Sequence, residues 1–313
     1  MEQPMKPTHR QRAWRFTTAA LAAVLVSGCD IRIGGEAAGL TEVVKKEFKV
    51  SGTADLALET FDGAVEIRAW DRPDVFVDIE KRAADRVALD AIQVVAEQVG
   101  NRITVKAVAP PKSEVLTIGF AVSPSARIVA SVPRHVNLAV SSGDGSIAIE
   151  RVDGRVDLRT SDGSIKGAEI SGQLTARTGD GSIRLESIQG RAEIDTDDGG
   201  VWLGGTLDLL RLRTGDGSVR VRIEEPRPMA GDWEIRTSDG SLTLELPEGF
   251  NAELDAKTGD GRVIVDWAGL EKADRTDHRS LQLKLGSGGP LLHLRAGEGT
   301  IRVSSLQRGG ADW

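Results

Sequence analysis

Seven of the eight aspartates that stand directly before a glycine between residues 144 and 260 form one series, and they are the residues best placed to do chemistry. Asp144, Asp162, Asp180, Asp198 and Asp216 recur every 18 residues, Asp239 and Asp260 follow at spacings of 23 and 21, and Gly297-Glu298-Gly299 repeats the turn with Glu. If one period is one structural coil, these carboxylates form a column, and a column of carboxylates suggests calcium. Calcium needs six to eight oxygens, and the calcium-binding nonapeptide GGxGxDxUx supplies them from both halves of each turn. Here the acid precedes the glycine, alternate halves carry Ser171 or Gln189, and the nonapeptide's aspartate place holds Ile or Val. The aspartates therefore read as corner residues that shape a turn through Asx-type hydrogen bonds, and no metal site is assigned.

A second column lies three residues earlier: Arg159, Arg177, Arg213, Arg236, Lys257 and Arg295, interrupted by Asp195. It could bind an anionic glycan or a lipid headgroup. The simpler expectation is that the cations stack beside the Asp column and offset its like-charge repulsion. Catalytic groups are scarce. His9, His135, His278 and His293 have no metal-ligand spacing, and every Ser after Asp-Gly repeats with the fold, which a lone nucleophile would not. Gly-Asp-Gly looks like half a phosphate loop, but it recurs, precedes strands and lacks the terminal Lys-Ser/Thr. No catalytic residue and no cofactor are assigned. The enzyme alternative is a solenoid polysaccharide lyase or hydrolase, which needs an acidic cluster departing from the ladder.

The elements that position these columns follow from the same period. Each 18-residue unit splits into two halves of nine, such as SGDGSIAIE and RVDGRVDLR, with glycine in the fourth place of nearly every half. The half at Gly205 breaks the rule, with Asp208 in that place. After each glycine, apolar residues alternate with polar ones, as in Ile183-Arg184-Leu185, which is strand periodicity with one buried face. A constant 18-residue period demands coils stacked in register ~4.8 Å apart. The fold expected is an all-β, single-stranded β-solenoid (β-helix) with 18-residue coils. The 36 glycines supply its tight turns, and a single cysteine excludes a disulfide framework. A formal net charge of −7 without a basic run argues against a nucleic-acid partner.

Residues 41–124 read as a less regular, β-rich N-terminal cap. Strands are expected at Thr41–Val50, Ala54–Thr60, Ala64–Trp70 and Val75–Lys81, a short helix at Ala83–Ala91, and a hairpin of Ile92–Gln98 with Arg102–Val108. Thr60-Phe61-Asp62-Gly63 is a degenerate corner, so the cap begins the same coil. The repeats occupy 125–306, leaving 307–313 as a C-terminal tail. The first 28 residues read as a signal peptide: Lys6, Arg10, Arg12 and Arg15 precede an apolar run, Ala19 to Val26, too short to span a bilayer. Val26-Ser27-Gly28-Cys29 resembles a bacterial lipobox, which implies acylation at Cys29 and a tether over residues 29–40. Removing the net +3 of residues 1–28 from −7 leaves −10. The expected location is the bacterial cell envelope, lipid-anchored at the periplasmic face or the cell surface. Asp30, next to the cysteine, resembles an inner-membrane retention signal, and inner against outer membrane stays open.

Val132-Pro133 before the first regular strand, the DGS-Ile turns, Leu246-Pro247-Glu248-Gly249 and the closing GEGTIRV resemble the bacterial putative-adhesin family. That likeness spans residues 45–305 and implies a β-solenoid of unknown function with no catalytic residues to carry over. It leaves three readings: a surface that contacts an envelope protein or glycan, a carbohydrate-active enzyme, or a structural or regulatory envelope module. Among the tryptophans, Trp233 aligns with inward Leu174 and belongs to the core, and Trp267 stands at the polar interruption 266–280. Trp202 falls on the outer face, one period after Arg184. These two are the candidate surface contacts, unless a neighbouring side chain covers the indole.

Overall fold

The computed structural model describes residues 39–109, 122–267 and 279–306, together with the backbone of residues 29–33. The chain opens with β1 (Cys29–Ile33), β2 (Leu40–Phe48), β3 (Ala54–Thr60), β4 (Val65–Trp70) and β5 (Val75–Ala83). The helix α1 (Arg86–Ala91) and the hairpin β6 (Gln93–Val99) and β7 (Arg102–Val108) follow. β8 (Ser125–Pro133) and β9 (Val136–Ser142) lead into four 14-residue strands: β10 (Ile147–Thr160), β11 (Ile165–Thr178), β12 (Ile183–Thr196) and β13 (Val201–Thr214). The rest comprises β14 (Val219–Ile223), β15 (Trp233–Thr237), β16 (Leu242–Leu246), β17 (Ala252–Asp260), β18 (Val263–Asp266), β19 (Ser280–Leu285), β20 (Leu291–Glu298) and β21 (Ile301–Ser305). They join in one 21-stranded sheet wound into an all-β solenoid.

The 18-residue period becomes parallel register. Ile147 pairs with Ile165, Ile165 with Ile183, and Ile183 with Val201. Each long strand bends once, so its first half lies on one face of the solenoid (face A) and its second half on the other (face B). Inward positions of both faces form a continuous apolar core, with Ile147, Leu158, Leu185 and Leu212 fully buried. Trp233 is fully buried too, in T-shaped contact with Phe250 at 5.5 Å, and Trp267 is 9% exposed at the end of β18. The irregularity expected at Gly205 appears as two register shifts: the step drops from 18 to 17 between Leu185–Leu203 and Ile188–Gly205, and Asp208 restores it by bulging between Leu207, opposite Gly190, and Leu209, opposite Arg191.

One corner of each coil carries Asp-Gly and is built on a buried hydroxyl. Thr160 Oγ1 donates to Gly145 O of the preceding coil at 2.9 Å and accepts from Gly163 N of its own turn at 3.3 Å. Thr178, Thr196, Thr214 and Thr237 repeat the outgoing bond to Gly163, Gly181, Gly199 and Gly217. The row satisfies backbone groups that the turn would otherwise bury unpaired. The opposite corner uses left-handed backbone. Arg151, Glu169 and Ser187 hold φ of 61°, 54° and 55°, and Gly154, Gly172 and Gly190 follow with positive φ. An L-residue in that region costs ~1–2 kcal/mol, partly offset by glycine's greater unfolded-state entropy. Glu169→Gly and Ser187→Gly are each expected to stabilise the chain by about 0.5–1 kcal/mol in urea unfolding.

The coils do not all stack in chain order, which sequence-adjacent stacking would require. The last coil, β20–β21, lies between two earlier ones: β15 and β17 flank β20, while β16 and β18 flank β21. The other end repeats the device. β3–β4 belongs to the parallel ladder, with β7 and β9 beside β3, and β8 and β10 beside β4. Terminal strands are antiparallel: β6 on β7, β5 on β8, β2 on β5, β1 on β2, and β19 on β17. Such strands end a parallel stack without offering the next coil a template. The helix α1 starts at Asp85, whose carboxylate accepts from Ala88 N at 2.8 Å. It buries Leu89 against the core and packs over the cross-strand pair Glu42–Lys81, both nearly buried at 3.1 Å. Residues 1–28 and 307–313 lie outside the described residues, and Cys29–Ile33, inside the expected tether, run as β1 along β2.

Candidate functional site

Each face presents outward rows of side chains, one residue per coil, and the rows differ in how their charges are met. On face B the cation row pairs with acids one strand position inward, not with the Asp-Gly corners expected from the sequence. Arg159 meets Asp157 at 2.8 Å, Arg177 meets Glu193 at 2.6 Å, Arg236 meets Glu234, and Arg295 meets Asp255 at 2.6 Å. The reason is strand geometry. Residues i and i+2 share a face, so Arg159 and Arg236 reach acids two residues back in their own strands, and Arg177 and Arg295 reach the equivalent place on the neighbouring coil, whereas the Asp sits beyond the bend. Arg279 with Asp260, at 3.4 Å, is an exception outside the row.

His293 adds a contact of 3.4 Å to Asp255, and Arg295 also donates to the Asp255 carbonyl. The hydrogen bond from Arg295 is the main cause that holds the Asp255 carboxyl below the ordinary range. A group with a lowered folded pKa stabilises the fold above its unfolded pKa, and that contribution is lost as pH falls through the folded value. Asp78 shows the opposite shift, raised by burial, and its Oδ1 is buried without a partner. His135 is exposed, 3.6 Å from Asp153, and His9 and His278 lie outside the described residues.

The corner carboxylates Asp144, Asp162, Asp180, Asp198, Asp216, Asp239 and Asp260 are all exposed. Among the described residues no three His, Cys, Asp or Glu side chains converge as metal ligands do. Calcium is therefore expected to leave folding untouched: melting curves in EDTA and in millimolar Ca²⁺ should coincide within a few degrees. A shift of tens of degrees would make the corner column a binding site.

Face A carries both candidate contact residues, and it brings them together. Register places Ala148, Lys166, Arg184, Trp202 and Arg220 in one outward row on successive coils, with Thr243 and Arg302 beyond. The Arg184 guanidinium lies over the Trp202 ring, 4.7 Å from its centroid, and its Nε donates to Glu186 at 2.7 Å. The indole is half-buried because it leans along its own strand onto Gly204. A Cβ there would stand 2.9 Å from the ring, so only glycine leaves the ring its place. The covering side chain that the sequence left open is thus Arg184 itself. Lys166, Arg220 and Arg302 make no ion pair among the described residues, whereas in the row on face B only Lys257 makes none. Beside Arg184 lies a shallow depression of about 310 Å³ lined by Ala148, Lys166, Gly167, Ala168 and the acids Glu150 and Glu186. Sequence reasoning found Arg184 and Trp202 from the period but missed Arg220, which the same 18-residue step reaches, and Gly204.

No curated protein matches the chain by sequence. Among solved structures, a putative adhesin from Parabacteroides distasonis is 10% identical, covering 84% of this chain and 97% of its own, with a TM-score of 0.39. A putative adhesin from Bacteroides fragilis is 13% identical over 84% and 97%, at 0.37. A putative lipid binding protein from Parabacteroides distasonis is 14% identical over 85% and 97%, at 0.36. A family model spans the parallel coils from β3 to β21: residues 53–304 match Toastrack DUF4097, and the chain belongs to that family.

Proposed function

We infer that the chain is a lipid-anchored protein of the bacterial cell envelope, without enzymatic activity, whose solenoid displays a flat surface for contact with an envelope protein or glycan. The observation that carries the anchoring is Val26-Ser27-Gly28-Cys29 behind a basic flank and a short apolar run. In this reading residues 1–28 are removed, acyl chains attach at Cys29, and the remaining −10 chain faces water. Acyl chains contribute ~0.8 kcal/mol per buried CH₂, so three make the attachment effectively permanent. No helix among the described residues is long and apolar enough to cross a membrane.

The non-enzymatic part rests on where the acids sit. The corner aspartates follow the ladder, and the two His–carboxylate groups among the described residues each face an arginine: Asp255, beside His293, is committed to Arg295, and Asp153, beside His135, lies 3.8 Å from Arg134. A solenoid polysaccharide lyase or hydrolase is the second reading, and a structural or regulatory envelope module the third. Cys29→Ser tests the anchor. It is expected to abolish radiolabelled palmitate incorporation and to release the protein from membranes or leave the signal uncleaved. Unchanged incorporation would end the lipoprotein reading.

A further inference from the structure

We propose that the outward row of face A, centred on Trp202, is a binding strip for an acidic polysaccharide bearing carboxylates on its sugars. The proposal rests on the reading of this face as a contact surface and adds the class of ligand. Lys166, Arg184 and Arg220 stand in one row of a chain whose formal charge is −7, and two of the three have no counter-ion among the described residues. Cations one coil apart, ~4.8 Å, repel one another, and on face B every arginine of the row meets an acid, Lys257 alone having none among the described residues. On face A it leaves the positive charge open.

Arg184 is held in place by two contacts. Its guanidinium lies on the Trp202 ring and its Nε is committed to Glu186, which leaves the two terminal nitrogens in a fixed plane. A guanidinium so fixed suits the two oxygens of a carboxylate. The depression beside it is floored by the small residues Ala148 and Ala168, so a sugar ring can sit against the sheet next to the bound acid. Glu150 and Glu186 at its rim accept hydrogen bonds from sugar hydroxyls. Both are paired, Glu186 with Arg184 and Glu150 with Arg68 at 3.7 Å, so neither opposes a bound carboxylate, and a row one residue wide suits a single polysaccharide chain rather than a continuous lipid surface. The row runs along the solenoid axis, and its step from coil to coil is close to the rise of one sugar in an extended polysaccharide. A chain with an acid on each sugar can therefore place carboxylates at Lys166 or Arg184 and again at Arg220.

The test is binding of the detergent-solubilised full chain to oligogalacturonate and oligomannuronate, with methyl-esterified oligogalacturonate and phosphatidylglycerol vesicles as comparisons. It requires no acylation, so it can fail while palmitate incorporation at Cys29 succeeds, and the reverse. Binding to at least one acidic oligosaccharide is expected, weakening as salt rises and absent for the methyl ester. Trp202→Ala and Arg220→Glu should each weaken it about tenfold or more, with melting temperatures near that of the parent. Arg191→Glu, an exposed charge at the corner between the faces, should leave it unchanged. Trp202→Phe and Arg220→Gln serve if either first variant misfolds, and both should bind more weakly than the parent. Binding to neither oligosaccharide, equal binding of the methyl ester, preference for the vesicles, or indifference to the Trp202 and Arg220 substitutions would each overturn the proposal.

Discussion

Ile183→Asp is expected to cost at least ~4 kcal/mol and to melt the middle of the solenoid, while Arg184→Ala, one residue on, should cost under about 1 kcal/mol. Ile183 is 1% exposed and stacks between Ile165 and Val201, with Leu185 fully buried beside it. Losing its buried surface removes ~2–3 kcal/mol. A carboxylate in its place finds no cation, because the cations of these coils all point outward, so desolvation adds several kcal/mol. Against a typical total of ~5–15 kcal/mol this is a large share. In a repeat protein each coil is held chiefly by its neighbours, so the loss should show first as protease cleavage near residues 165–201. Arg184 loses only an exposed stacking contact and an exposed ion pair. Urea unfolding of the two variants reads out the difference. Equal losses would mean that the inside and outside of the strands had been exchanged, a one-residue register error that reverses every side chain.

The order of coils at the two ends was harder to read than the coils themselves. Ile147, Ile165, Ile183 and Val201 announce one another through a fixed step of 18 and strict alternation, and the hairpin around Gly100-Asn101 is a local signal of the same kind. A period, however, says only that segments are alike. It does not say which neighbours stack, because any coil with alternating apolar residues and a glycine corner offers the same edge. The placement of β20–β21 between β15–β16 and β17–β18 is settled by three-dimensional closure, and its marks in the sequence are indirect: steps of 23 and 21 and the interruption at 266–280. The threonine row is legible as T-x-D-G, as in Thr160-Ser161-Asp162-Gly163, although the charge of the aspartate makes it the more conspicuous residue. The buried hydroxyl carries the turn, and the aspartate lies in water. For the candidate site, the period alone placed Arg184 beside Trp202. The tilt of the indole onto Gly204 depends on a missing Cβ two residues away, which no periodicity reports.

Gly181→Ala should be more damaging than its single added methyl suggests, costing ~3 kcal/mol or more. At the Asp-Gly corner the backbone of each coil runs so close to the one before that a Cβ on Gly181 would overlap the Gly163 carbonyl oxygen. It would also stand 2.5 Å from the carbonyl carbon and 2.9 Å from Thr178 Oγ1. Neither obstacle is the free end of a flexible side chain. The carbonyl is fixed by the 2.9 Å bond from Thr178 Oγ1, and the adjoining turn by Gly179 N to Ser161 O at 2.6 Å. Relief therefore requires the two coils to separate, which breaks that bond and strains Ile165 N to Ser182 O at 3.0 Å. Buried groups left unpaired cost ~1–3 kcal/mol each. Gly249→Ala is the control. Gly249 has φ of +83° but nothing within 4 Å of its Cβ position, so alanine there meets only the left-handed backbone cost of ~1–2 kcal/mol. Gly145, Gly163, Gly199, Gly217 and Gly240 face the same kind of carbonyl in the preceding coil, and Gly199→Ala should match Gly181→Ala. Chemical denaturation that ranks Gly181→Ala and Gly199→Ala well above Gly249→Ala is the expected result. If Gly249→Ala proves as costly as the other two, the corner glycines serve backbone freedom alone, and the close approach of successive coils at this edge is wrong.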